Sequence, residues 1–301
     1  MFGGVIVAER VCGYEDELAA AERRPGVGRR CARRCLLLLE QAKILFAEAE
    51  ENNLGNKAFN ESFRRWDTCS LCKQRYHGVV QCALGWACWK TYVGRPETDD
   101  ARGNMAITFL GNGLSQAYHD EDALSVREAQ LSTMRRIGAS EVQKLIVQNN
   151  LANTYEMVGR LKQSLSMRRD VYSGYSRLYG EENNQTLSTA NNLAGMLCSL
   201  KHFEEAKSLM RKTMPVARRV LGEGHDLMFT MSTVYAASLY EDSAATLDDL
   251  REAVTTLEDT ARTARRVFGS DHPLVGGIEE DLRVSRAVLR ARETPSSPGR
   301  S

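Results

Sequence analysis

The run Asn149-Asn150-Leu151-Ala152 returns as Asn191-Asn192-Leu193-Ala194, 42 residues further on, and a chain that repeats itself at such a period is confined to a stacked array. The same step separates Ile137-Gly138, Tyr179-Gly180 and Leu221-Gly222. Val267-Phe268-Gly269 follows Val220-Leu221-Gly222 by 47 residues, so five residues are inserted between them. Tyr235 and Leu239 keep the 42-residue step from Leu193 and Leu197, whereas Ala253 falls 47 after Ala206. The insertion therefore belongs to a loop within residues 240–249. A weaker copy begins near Met105, with Leu110 and Leu124 standing 41 residues before Leu151 and Leu165. About four repeats result, over residues 105–293.

Apolar residues inside each unit fall at helical spacing, as at Leu151, Tyr155 and Val158, then Leu161, Leu165, Val171 and Leu178 beyond Gly159. Each repeat is predicted to be a pair of antiparallel helices, closed by a left-handed glycine at 138, 180, 222 or 269. One such pair cannot cover its own apolar stripe. Stacking on neighbours buries it and winds the array into an all-α solenoid with a concave face.

Three motifs in the repeats, Asn150-Leu151-Ala152 with Tyr155, Glu204-Glu205-Ala206, and Leu221-Gly222 with His225, resemble the tetratricopeptide repeats of kinesin light chains. The resemblance spans residues 105–290 and implies a scaffold that binds protein. It does not bring motor association with it. Residues 31–51 hold the apolar residues of one amphipathic helix, which Asn52, Asn53 and Gly55 end, so the long heptad coiled coil that precedes the repeats in that family is not expected.

Forty basic against 39 acidic residues leave a net charge of +1, which gives no overall attraction to nucleic acid or anionic membrane. The densest apolar run, residues 36–39, is interrupted far short of a membrane span by Arg33, Arg34, Glu40 and Lys43. Residues 5–8 lack the flanks of an export signal, and a cytoplasmic protein is expected. The organisation expected ahead of the repeats is an unordered stretch at 1–30, an amphipathic helix and connector at 31–65 and a cysteine and histidine module at 66–104. A disordered tail at 294–301 follows the repeats.

The chain has eight cysteines, which in a protein that is not exported are thiols or metal ligands. Cys69, Cys72, His77 and Cys82 follow the spacing C-x2-C-x4-H-x4-C, which resembles a zinc knuckle and would supply four ligands to a structural zinc. Cys88 competes with Cys82 for the fourth place. On a straight helix through residues 79–93 these two cysteines point to different faces, so only one can serve. The competing reading makes Val79, Val80, Leu84, Trp86, Trp89 and Tyr92 a buried helix in which cysteines act as small hydrophobes.

No catalytic residue is assigned, and the chain is not expected to be an enzyme. The glycine pairs at 26 and 28 and at 111 and 113 neither follow a strand nor extend to a phosphate-binding loop. His202, His225 and His272 stand at repeat boundaries as turn or capping residues. Glu204-Glu205, Asp248-Asp249 and the arginine pairs 168–169, 218–219 and 265–266 read as solvated helix faces. The partner-binding residues are Asn112, Asn149, Asn150, Asn153 and Asn192, whose amides on the concave first helices can hold a peptide backbone; the competing role is to cap or pack between helices. The function expected is a scaffold or adaptor for a protein or peptide. The alternatives are a zinc-dependent nucleic-acid binder using Trp66, Lys73 and Arg75, or a regulatory subunit of a larger complex.

Overall fold

The computed structural model describes residues 75–92 and 100–294 without a break, together with residues 44, 48, 61, 63–68 and 73. Of the helix expected over 31–51 only Ile44 and Glu48 are described, both helical, and the stretches at 1–30 and 295–301 lie outside the described residues. The described residues form ten α-helices and no strand: α1 Gly78–Lys90, α2 Asp100–Gln116, α3 Asp120–Arg136, α4 Glu141–Met157, α5 Leu161–Tyr179, α6 Asn184–Ser199, α7 Phe203–Leu221, α8 Asp226–Tyr240, α9 Leu247–Phe268 and α10 Pro273–Glu293. A 3-10 turn at Arg64–Trp66 and a lone antiparallel bridge between Thr68 and Arg75 precede them. The chain divides into two compact units between Arg160 and Leu161.

Unit 1 is built outward from α1, which is buried on every side from Gln81 through Cys88. Helices α1 and α2 cross with backbones in contact. A Cβ on Gly85 would lie 2.5 Å from the Phe109 carbonyl oxygen, and one on Gly113 would lie 2.6 Å from Cys82 Cα. The glycine pair at 111 and 113 is thus a helix crossing point. Two apolar clusters flank the crossing: Phe63, Trp66, Leu84, Cys88 and Ala106 in one, Cys82, Trp86, Leu110, Leu114 and Ala123 in the other. Helix α3 packs on α2, and α4 packs on α3.

Unit 2 holds two apolar clusters: one runs from Leu187 on α6 to Leu282 on α10, filled by Met210, Met214, Phe229, Leu239 and Leu257, and the other gathers Leu165, Leu193, Met196, Leu197 and Ala206 where α5, α6 and α7 meet. Each helix packs on the next in the chain. The first helices also touch one another, α6 on α8 and α8 on α10, more extensively than α7 touches α9. The first helices therefore line the inner side of this unit's bend.

Local chemistry explains where the helices stop. Gly222 has φ 82° and ψ 159°, and Gly269 repeats this at 84° and 162°. The positive φ agrees with the sequence expectation, but ψ is extended rather than left-handed helical, a region that only glycine populates. The next helix is then capped by a side chain. Asn183 Oδ1 accepts from Gln185 N at 2.8 Å, His225 Nδ1 from Leu227 N at 3.1 Å, and His272 Nδ1 from Leu274 N at 3.2 Å. His202 stands instead at the turn from α6 to α7, inside a repeat rather than between repeats as expected, and makes no side-chain cap. The insertion is the loop 241–246 between α8 and α9, where Asp242 pairs with the buried Lys207 at 3.3 Å and a Thr246–Asp249 capping box starts α9.

Candidate functional site

The first-helix faces carry the residues picked out by the repeat. In unit 1, Met105 on α2 and Ile146 on α4 occupy equivalent positions 41 residues apart, and both are exposed, at 43% and 47%. One helical turn and more along the same stripe, Asn112 and Asn153 are again equivalent, and Met157 follows at 49% exposure. Asn149 and Asn150 are half-buried between Ile146 and Asn153. The sequence reading found the amides but missed the three apolar side chains. The missed signal was Met105 and Ile146 sharing one position of the repeat.

Arg127, on α3 and only 5% exposed, ties the two first helices together. Its guanidinium donates to Asn112 Oδ1 at 2.7 Å, to the Asn150 carbonyl at 3.0 Å and to Thr154 Oγ1. Gly111 leaves room for it, since a Cβ there would lie 3.0 Å from Arg127 Nε. Burial lowers the Arg127 pKa to about 10, with Asp120 acting in the opposite direction. Gln130 adds a second pin, donating to Asn104 Oδ1 at 2.6 Å and Thr108 Oγ1 at 2.9 Å. The carbonyl of Asn112 is therefore occupied within the fold, and its N–H groups are what it can offer outward.

In unit 2 the equivalent stripe on α6 is Ser188, Asn192, Gly195 and Ser199. Asn192 is half-buried, and a Cβ on Gly195 would meet nothing within 4 Å. The inner side of α6 is thus low in relief and open. Helix α8 continues with Thr230, Val234 and Ala237. At its end burial raises the pKa of Glu241, and Asp281 on α10 adds to the effect.

The second-helix side is closed by its own charges. A cavity of about 560 Å³ between α7, α8 and α9 has a floor of Met214, Met228 and Phe229. Across it Arg211 Nε donates to the Tyr235 hydroxyl at 2.9 Å, which in turn donates to Glu252 Oε1 at 2.6 Å. One repeat earlier Arg169 makes a two-point contact with Glu205 at 2.9 and 2.7 Å. Its neighbour Arg168 is not part of a solvated face, being only 6% exposed.

The cysteine module is only partly described, because Cys69 and Cys72 lie outside the described residues. His77 is exposed at the start of α1. Cys82 and Cys88 are wholly buried in the two separate clusters that flank the α1–α2 crossing, on different faces of the helix as the rotation argument requires. Burial pushes the Cys88 thiol pKa up. Among the described residues no three His, Cys, Asp or Glu side chains converge as metal ligands. Among them no helix is long and apolar enough to cross a membrane.

Two family models, both described as tetratricopeptide repeat, match residues 143–219 and 244–274. No curated protein sequence matches the chain. Among solved structures, the TPR-like repeats of a kinesin light chain from Podosopora anserina superpose with a TM-score of 0.55 at 17% identity, over 63% of this chain and 87% of that one. BtubC (BKLC) from P. vanneervenii gives 0.55 at 16% identity, over 73% of this chain and 94% of that one. At such identities the likeness is one of fold. Residues 143–219 and 244–274 thus match tetratricopeptide repeat models, and the all-helical array is similar in fold to the TPR-like repeats of a kinesin light chain.

Proposed function

We propose that this chain is a protein-interaction scaffold whose first-helix faces hold an extended peptide segment of a partner. The observation that carries the reading is the pairing of apolar and amide side chains at matched repeat positions: Met105 with Ile146, both exposed, and the half-buried Asn112 with the exposed Asn153. Amides spaced by one repeat grip a backbone whatever its sequence, while the apolar steps between them select side chains. Within unit 2, taken by itself, the open floor at Gly195 leaves the inner face of α6 room for a bulky side chain.

Peptides selected on the full chain from a random display library test this. Asn150→Ala with Asn192→Ala should weaken the selected peptides at least tenfold, and Gly195→Arg should block them, while helicity and melting temperature stay within error. Lost helicity with intact affinity would make the asparagines structural and end the proposal.

Structural zinc held by Cys69, Cys72, His77 and one of Cys82 and Cys88 is a separate proposal for the module at 66–104. His77 is the accessible ligand among the described three, and either cysteine would have to leave its apolar cluster to join it. Elemental analysis of protein purified without chelator decides: about one zinc per chain supports the site, and none refutes it.

A further inference from the structure

We propose a binding site for a compact polyanion, a pyrophosphate or phosphate-ester group, in the cavity beside the Arg64–Trp66 turn of unit 1. The cavity measures about 770 Å³ and is bordered by four cations, Arg64, Arg65, Lys73 and Arg75, against two carboxylates, Glu61 and Asp67. Asp67 is already engaged: its Oδ2 lies 3.3 Å from Arg75 Nε, and its Oδ1 accepts from Gln81 Nε2 at 3.4 Å. Arg64, Arg65 and Lys73 have no ion-pair partner among the described residues. Among the described residues, three cations thus face one cavity with Glu61 as the uncommitted counter-charge.

The platform under these side chains is fixed. Phe63 and Trp66, each 1% exposed, anchor the turn in the α1 cluster, so Arg64 and Arg65 between them are directed outward. On the far side, Tyr76 N donates to the Asp67 carbonyl at 2.9 Å and Thr68 bridges Arg75, which returns the chain beside the turn. Lys73 sits in this return at φ 60°. Arginine forks match phosphate oxygens in pairs, and clustered cations in a concavity concentrate anions.

A compact anion is favoured over a nucleic-acid strand. Binding of single strands relies on aromatic faces for the bases. Trp66 is buried here, and among the described residues no aromatic side chain lines the cavity. The described side chains therefore offer charge, which recognises phosphate rather than bases.

Isothermal titration of the full chain with pyrophosphate at low ionic strength tests the site, with inorganic phosphate and a short RNA as further arms. Pyrophosphate should bind more tightly than phosphate, and rising salt should weaken it. Arg64→Ala with Arg65→Ala should reduce affinity at least tenfold without changing helicity, and the double lysine variant should recover most of it. Glu61→Gln should tighten binding several-fold, and it removes no cation from the site. No heat with pyrophosphate, unchanged affinity in Glu61→Gln together with the double alanine variant, or RNA bound more tightly per phosphate than pyrophosphate would each overturn the proposal.

Discussion

Gly222 shows how one residue can set the boundary between two helices. With φ 82° and ψ 159°, an alanine there would be forced into a region it scarcely populates, at a cost of about 1–3 kcal/mol. Space is not the obstacle, since nothing lies within 4 Å of a Cβ built at this position. Gly276 on α10 has equally open surroundings but ordinary helical backbone, and alanine should stabilise it by about 0.5–1 kcal/mol. Urea titrations of Gly222→Ala and Gly276→Ala should move in opposite directions. Equal shifts would mean that crowding, not backbone conformation, decides at 222. The same contrast bounds what the sequence reveals. A glycine repeating every 42 residues announces a turn, whereas the glycines at 85 and 113 owe their role to a helix crossing that joins residues 28 apart, and no local pattern marks it. Arg127 is hidden for the same reason: a charged residue in a charged helix looks solvated until its acceptors on α2 and α4 are known.

Helices are where the sequence was most legible. The 42-residue step placed Leu151 and Leu193 at one packing position, and they are 1% and 5% exposed in their respective units. Truncating either to alanine should cost about 2–5 kcal/mol, read as a lower urea midpoint with an unchanged far-UV spectrum before the transition. Unchanged midpoints in both variants would refute their packing. Boundaries were less legible. Helix α2 begins at Asp100, ahead of Met105, and its opening turn lacks the apolar residues by which the repeat was aligned. Two first-to-second helix turns place non-glycine residues at positive φ, Tyr118 at 63° and Lys201 at 61°, where only Gly159 had signalled such a turn. The five-residue insertion was located correctly, yet its attachment through Lys207 and the buried Ala245 had no counterpart in the other repeats to compare. Of the candidate site, the asparagine ladder could be read from periodicity. Met105, Ile146 and Met157 could not, since apolar residues on a helical stripe are usually core and only the tertiary packing shows that these three are exposed.

For the molecule as a whole, the buried hydroxyls predict how stability responds to alkali. Burial is the leading cause that raises the pKa of Tyr155, Tyr172, Tyr175, Tyr235 and Tyr240 above the phenol value of 10.0, that of Tyr235 to about 12. An acid whose pKa is higher folded than unfolded holds its proton longer in the native state. Its contribution to stability is complete below pH 10 and is lost as pH rises toward the folded value. Arg127 runs the other way: its pKa falls from 12.5 to about 10 on folding, so the unfolded chain binds the extra proton and stability rises with pH across that window. Five phenols spread over both units oppose one guanidinium, so the net expectation is a falling urea midpoint as pH rises from about 10 toward about 12. Tyr235→Phe separates the phenol from general alkaline damage. Its loss of the Glu252 and Arg211 hydrogen bonds should lower stability at neutral pH, while its decline above pH 10 should be shallower than that of the parent. Phenolate absorbance near 295 nm in the native protein should lag that of the urea-unfolded chain by about one pH unit or more. Parallel curves for parent and variant, or coincident phenolate titrations folded and unfolded, would show that burial in this solenoid leaves the tyrosines accessible to water.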